Sequence, residues 1–172
     1  MKKARVLSII FTSATLAGAA LTAGGAGSQT LPLGCFTRVY DQAHLASQPD
    51  QVVEAMWLRL WHDPADSETP TFRIGALMAN QGHAARDGLG GRIMGEEGYC
   101  QGLTCAVYCD GGSFTVTRDT GDMIEITTDH LRVVSEGGCG EGGGVATSLA
   151  EVPGQPTTYR LFRSEEHHCE RN

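Results

Sequence analysis

The chain carries six histidines, six cysteines and 20 carboxylates, and their spacing decides what chemistry they could share. His44, His62, His83, His130, His167 and His168 form neither H-x3-H nor H-E-x2-H. Those are the spacings that put two imidazoles on one helix face around zinc. No G-x-S-x-G element is present, so Ser135 and Ser148 lack the strained turn that exposes a nucleophilic serine. The carboxylates gather in three places: Asp63, Asp66 and Glu68; Asp119 and Asp122; Glu136 and Glu141 around Cys139. Each could offer oxygen ligands to calcium, but none has the spaced ligands of a calcium loop. A glycoside hydrolase needs two carboxylates at a set separation across a cleft, which sequence does not place. No catalytic residue is assigned on these grounds, and no metal or cofactor is expected. The sharpest local pattern is Trp57, Arg59 and Trp61. On a strand, alternation puts the three on one face. An arginine between two indoles can stack as a cation–π cluster or form a recognition patch. These three are the candidate binding residues; core packing is the competing reading for the two tryptophans.

The cysteines are Cys35, Cys100, Cys105, Cys109, Cys139 and Cys169. An even number behind an export leader reads as a disulfide framework, although spacing alone does not choose the pairing. Cys100 to Cys105 spans a tight turn with Gly102 and would clamp a hairpin. Cys35 opens the first strand after the leader and Cys169 follows the last one, so their bond would close the domain. Cys109–Cys139 is then the remaining pair. Cys105-x3-Cys109 and His167-His168-Cys169 supply zinc-type ligands, but without paired C-x2-C spacing.

Met1 to Arg5 is a short basic head, Val6 to Ala23 is apolar and uncharged, and small residues fill Gly24 to Ser28. That order predicts a signal peptide over residues 1–27, with cleavage between Ala19 and Ser28 and a single β-rich domain over 28–172. The apolar run is near the lower length limit of a membrane span and is poor in large side chains in its second half. No stable membrane insertion is therefore expected after cleavage, and the protein is placed in the periplasm or outside the cell. Leu31-Pro32-Leu33-Gly34-Cys35 ends like a lipid-attachment box, which leaves a lipid anchor at Cys35 as the lesser alternative. The chain's net charge is −7, and loss of Lys2, Lys3 and Arg5 takes it to −10. Such acidity opposes nucleic acid and anionic lipid, both of which need a basic face.

Strand signals dominate the rest. Phe72, Ile74, Ala76 and Met78 alternate, as do Phe114 with Val116, Ile124 with Ile126, and Tyr159 with Leu161. Val52 to Trp61 is a longer apolar run, read as a strand with both faces partly covered or else as a helix. Asp41 to Pro49 reads as a short helical turn or a loop, with Asp41 able to cap a helix, Asn80 to Gly91 as a mobile loop, and Val145 to Gln155 as ambiguous, with a short helix over Thr147 to Glu151 as one reading. About nine strands with short links predict an all-β fold, an antiparallel up-and-down barrel or else a β-sandwich. Phe72, Ile74, Phe114, Val116, Ile124, Ile126 and Leu161 are expected to point inward.

Cys35-Phe36-Thr37-Arg38-Val39-Tyr40-Asp41-Gln42-Ala43-His44-Leu45 with Pro49, and Cys109-Asp110-Gly111-Gly112-Ser113-Phe114, resemble segments of a loose group of uncharacterised exported bacterial proteins. The resemblance spans most of the chain after the leader. It implies export and carries no catalytic residue. A likeness to lipocalin- or avidin-type barrels is architectural and licenses no function. The expectation is a non-catalytic exported binding module for a small molecule or partner protein. A secreted hydrolase inhibitor acting through Asn80 to Gly91 and a hydrolase with carboxylates on separate loops are the alternatives.

Overall fold

A computed structural model describes residues 30–135 and 144–170. The alternating segments form β1 (Gly34–Val39), β2 (Val53–Asp63), β3 (Asp66–Met78), β4 (Ile93–Gln101), β5 (Thr104–Val107), β6 (Gly112–Asp119), β7 (Met123–Val134), β8 (Ala146–Ser148) and β9 (Thr157–Ser164). Each pairs antiparallel with its neighbour in the order β6-β5-β4-β3-β2-β1-β9-β7-β8, and a β6–β7 pairing closes the ring. The result is an eight-stranded antiparallel barrel made by a meander, with β8 as the extra strand. Arg132 to Val134 of β7 pair with β8, and Met123 to Thr128 pair with β9. Thus β8 and β9 run along the same partner as one strand interrupted by residues 149–156.

The inward residues pack into one apolar core. Phe36, Leu58, Phe72, Ile74, Phe114, Val116, Ile124, Ile126 and Leu161 all belong to it, and none is more than 2% exposed. Phe72 and Phe114 meet edge to face with centroids 5.0 Å apart. The expected inward set is therefore the observed one. Outside, Thr127 is within hydrogen-bonding distance of both Thr117, at 3.3 Å, and Thr158, at 2.8 Å, and Arg160 pairs with Glu125. Apolar within and polar without is the reverse of a lipid-facing barrel. Among the described residues no helix is long and apolar enough to cross a membrane.

Two disulfides staple this frame. Cys100 and Cys105 face each other in the β4–β5 register and are bonded. Cys35 of β1 is bonded to Cys169, in a 3-10 turn at Glu166–Cys169. Cys139 lies outside the described residues, as do the proposed leader and the carboxylates Glu136 and Glu141, so the Cys109–Cys139 expectation falls there too.

Several local expectations are corrected. Met123 to Val134 is one long strand, β7, continuous through the polar pair Asp129 and His130. Thr147 begins no helix; it belongs to β8, where its register partner is Val133. Asn80 to Gly91 is not a loose loop. It contains helix α2 (Gly82–Arg86), and Ala84 and Leu89 are fully buried in the core. Small and apolar side chains at those two positions let the segment plug one end of the barrel. Asp41 to Pro49 does hold a helix, α1 (Gln42–Ser47), with Asp41 as its cap.

Candidate functional site

β1 and β9 close the barrel through a short zipper. Their register covers Cys35 to Thr37 against Phe162 to Ser164 and goes no further, although β9 continues back to Thr157. The next residue of β1 is Arg38. Phe36 points into the core, so alternation gives Arg38 the same inward direction. A guanidinium driven into that core would lose its hydration without a counter-charge. The seam parts where Arg38 stands, and its guanidinium lies over the Tyr40 ring, 4.9 Å from the centroid, and the Phe162 ring, at 5.3 Å.

The parted seam is a cleft of about 460 Å³, within the size range of small-molecule sites. Three segments furnish it. β1 and the residue after it give Arg38 and Tyr40. The helix after β1 gives His44, and the chain beyond gives Gln51. The 149–156 excursion and β9 give Glu151, Tyr159 and Arg160.

Local hydrogen bonds hold each segment in place. Asp41 Oδ1 accepts from the His44 amide at 2.7 Å, starting α1, and Leu45 anchors the helix in the core. The His44 ring stacks on Tyr40, centroids 4.7 Å apart. The Gln51 amide nitrogen donates to the Val53 carbonyl at 2.8 Å. Its oxygen is then the acceptor facing His44 Nε2, also at 2.8 Å, which makes Nε2 the protonated ring nitrogen. The excursion is tied down by Tyr159, whose hydroxyl donates to the Leu149 carbonyl at 2.7 Å. The Glu151 amide also donates to Thr157 Oγ1 at 2.9 Å.

The electrostatics of the cleft are uneven. Arg38 Nε is buried with no hydrogen-bond partner. Among the described residues the guanidinium makes no salt bridge, whereas Arg59, Arg73, Arg118, Arg132 and Arg160 all pair with glutamates. Glu125 is committed: its Oε1 accepts from Arg160 Nη2 at 2.7 Å and lies 3.9 Å from Arg118 Nη1. Glu151 is the opposite case. Its carboxylate has no such partner among the described residues, and burial, then the charge of Asp50, push its pKa up against the opposing pull of His44. Burial also raises the Tyr40 hydroxyl, with the adjacent Arg38 opposing. Burial holds Tyr159 well above the usual tyrosine range, helped by Glu151 and Tyr40. Both phenols are neutral at physiological pH.

Trp57, Arg59 and Trp61 lie elsewhere, on the outer face of β2. The alternation reading is correct in that Met56, Leu58 and Leu60 take the core. Trp57 packs with the Cys35–Cys169 disulfide in a separate small cluster. Its ring also covers Gly75 across the β2–β3 register, where a Cβ would sit 2.2 Å from the indole. Arg59 Nε is 3.0 Å from Glu166, and its guanidinium lies 5.3 Å from the Trp61 centroid. So the cation–π contact exists, under the C-terminal turn and away from the cleft. His167 and His168 are in that 3-10 turn, not on a strand, with rings 4.0 Å apart. The acidic groups of the turns serve backbone amides: Asp63 accepts from Ala65, Asp66 from Glu68 and Thr69, and Asp119 from Gly121.

Reading the sequence for motifs passes over Arg38, Tyr40, His44, Gln51, Glu151 and Arg160. One signal was available: Arg38 interrupts the inward alternation of β1 immediately before a capped helix. Nothing in the spacing joins that stretch to Glu151 or Arg160. No protein-family model, no curated protein and no solved structure matches the chain.

Proposed function

We propose that this protein is an exported, non-catalytic binding module that holds a small polar ligand in the cleft between β1 and β9. The observation that carries it is the Arg38 guanidinium. It is half-buried, lies over two rings, and is unmatched by any carboxylate among the described residues. Keeping such a charge without a counter-ion costs stability, and a ligand group of opposite charge recovers it. The cystine bonds are consistent with an oxidising extracellular or periplasmic compartment. The basic head and apolar run of residues 1–27 support export through a cleaved leader.

A carboxylate-dependent hydrolase is the second reading, because Glu125 and Glu151 line the same cleft. It is the weaker one. Two-carboxylate chemistry needs both groups available to substrate, and Glu125 is engaged by arginines.

Native mass spectrometry of the secreted protein tests the proposal. A co-purifying small molecule is expected, and Thr158→Trp, which fills the cleft from its exposed wall, is expected to lose it. An adduct retained by that variant would place the ligand elsewhere. Turnover of a glycan or ester that Glu151→Gln abolishes would replace the binding reading with the enzymatic one.

A further inference from the structure

The cleft contains two charges of opposite sign that do not satisfy each other. Among the described residues neither Arg38 nor Glu151 makes an ion pair: the guanidinium lies over two rings, and Glu151 has only the longer-range pull of His44, outweighed by burial and by Asp50. Had the fold merely needed a buried ion pair, the two would have met. Instead each is held apart by its own segment. Arg38 is braced by Tyr40 and Phe162. Glu151 is set by the hydrogen bond its backbone amide donates to Thr157 Oγ1, and the excursion it sits on is pinned by Tyr159 at the Leu149 carbonyl. Tyr40 lies between them electrostatically, feeling both Arg38 and Glu151. The remaining polar groups are largely spent: Gln51 on His44 and Val53, Tyr159 on Leu149, and Arg160 on Glu125.

We infer that the ligand is a compact ammonium carboxylate, a free amino acid, bound with its carboxylate on Arg38 and its ammonium on Glu151. This rests on the reading of the cleft as a ligand site and names what fills it. A guanidinium presents paired donors that match a carboxylate. A carboxylate short of hydration gains most from a cation that donates hydrogen bonds. A zwitterion supplies both at once and adds no net charge to the site. A simple anion would be repelled by Glu151. A simple amine would be repelled by Arg38. The carbon skeleton of the ligand would lie against the exposed ring of Phe162, which is 42% accessible.

The test is a nuclear magnetic resonance titration of the isotopically labelled, disulfide-intact protein. The probes are the common L-amino acids. For the tightest of them, its deaminated acid and its decarboxylated amine are added as matched controls. The expected result is shifts centred on Arg38, Tyr40, His44 and Glu151, with the amino acid at least about tenfold tighter than either control. Arg38→Gln and Glu151→Gln should each weaken the amino acid by about tenfold or more. Glu151→Gln should not weaken the deaminated acid. The comparison among the three compounds needs no variant, so it holds even if a substitution unfolds the chain. If the deaminated acid binds as well as the amino acid, the zwitterion inference fails and the cleft remains an anion site. If none of the probes shifts the cleft while the native adduct is still lost in Thr158→Trp, the inference fails and the binding reading survives. If neither occurs, both fall.

Discussion

Glu151 is half-buried near the like charge of Asp50, which with burial outweighs the pull of His44, so its effect on stability has a definite sign. Its folded pKa is raised, by burial first and by Asp50 second. A carboxyl of this kind adds no penalty at low pH, where it is protonated in both states. As pH rises from the ordinary carboxylate range through the raised folded value, the folded state loses stability relative to the unfolded one. The groups facing it are Asp50, His44, Tyr40 and Tyr159. Glu151→Gln is therefore expected to be more stable than the native chain at neutral pH, by less than about 1 kcal/mol because solvent reaches the cleft mouth. The difference should vanish in acid. Denaturant unfolding at several pH values checks it, and a variant less stable at neutral pH would contradict the account. Glu96 is raised for the same main reason, burial, so the variant's pH slope should shrink without disappearing.

At the level of elements, the cleft depends on two short pieces that are weakly held by themselves. α1 is only six residues long, too short to be stable alone. It survives through the Asp41 cap and the buried Leu45. Loss of an N-cap costs about 1 kcal/mol. Asp41→Ala should thus lower global stability by about that amount. It should also loosen the His44 ring over Tyr40, with a larger loss of ligand affinity than of stability. Amide exchange across residues 42–48 reads the first effect, and titration with the bound ligand reads the second. Unchanged exchange there would show that Leu45 alone seats the helix.

Across the whole molecule, the Cys35–Cys169 bond joins positions 134 residues apart, and Cys100–Cys105 joins positions five apart. In the chain-entropy view the long loop stabilises by about 5 kcal/mol and the short one by about 2 kcal/mol. The long bond also lies beside the β1–β9 zipper, which like β5–β6 has only three register pairs. Replacing Cys35 and Cys169 by serine should therefore cost more than replacing Cys100 and Cys105. It should also open the seam, visible as faster exchange at Thr37 and Phe162. Equal losses in the two double variants would refute the ranking.

What the residues determined by themselves follows from local physics. Period-two alternation placed Phe72, Ile74, Phe114, Val116, Ile124, Ile126 and Leu161 inside, because successive strand side chains point to opposite faces. Asp41 announced a helix because its side chain can take the first free amide. Turn chemistry and cysteine spacing reached the Cys100–Cys105 clamp, and the ends of the strand series reached Cys35–Cys169. Closure of the barrel rather than stacking of two sheets was decided by tertiary structure, since the same strands can do either. So was the fate of Asn80 to Gly91, whose Ala84 and Leu89 look unremarkable until a barrel end needs filling. So was the splitting of one strand into β8 and β9. The cleft belongs wholly to this second kind. Arg38 and Glu151 are 113 positions apart, and spacing encodes neighbours only along a helix face or a strand. They share a site because β9 closes the ring against β1, and a charged side chain at an inward position stops that closure three pairs in.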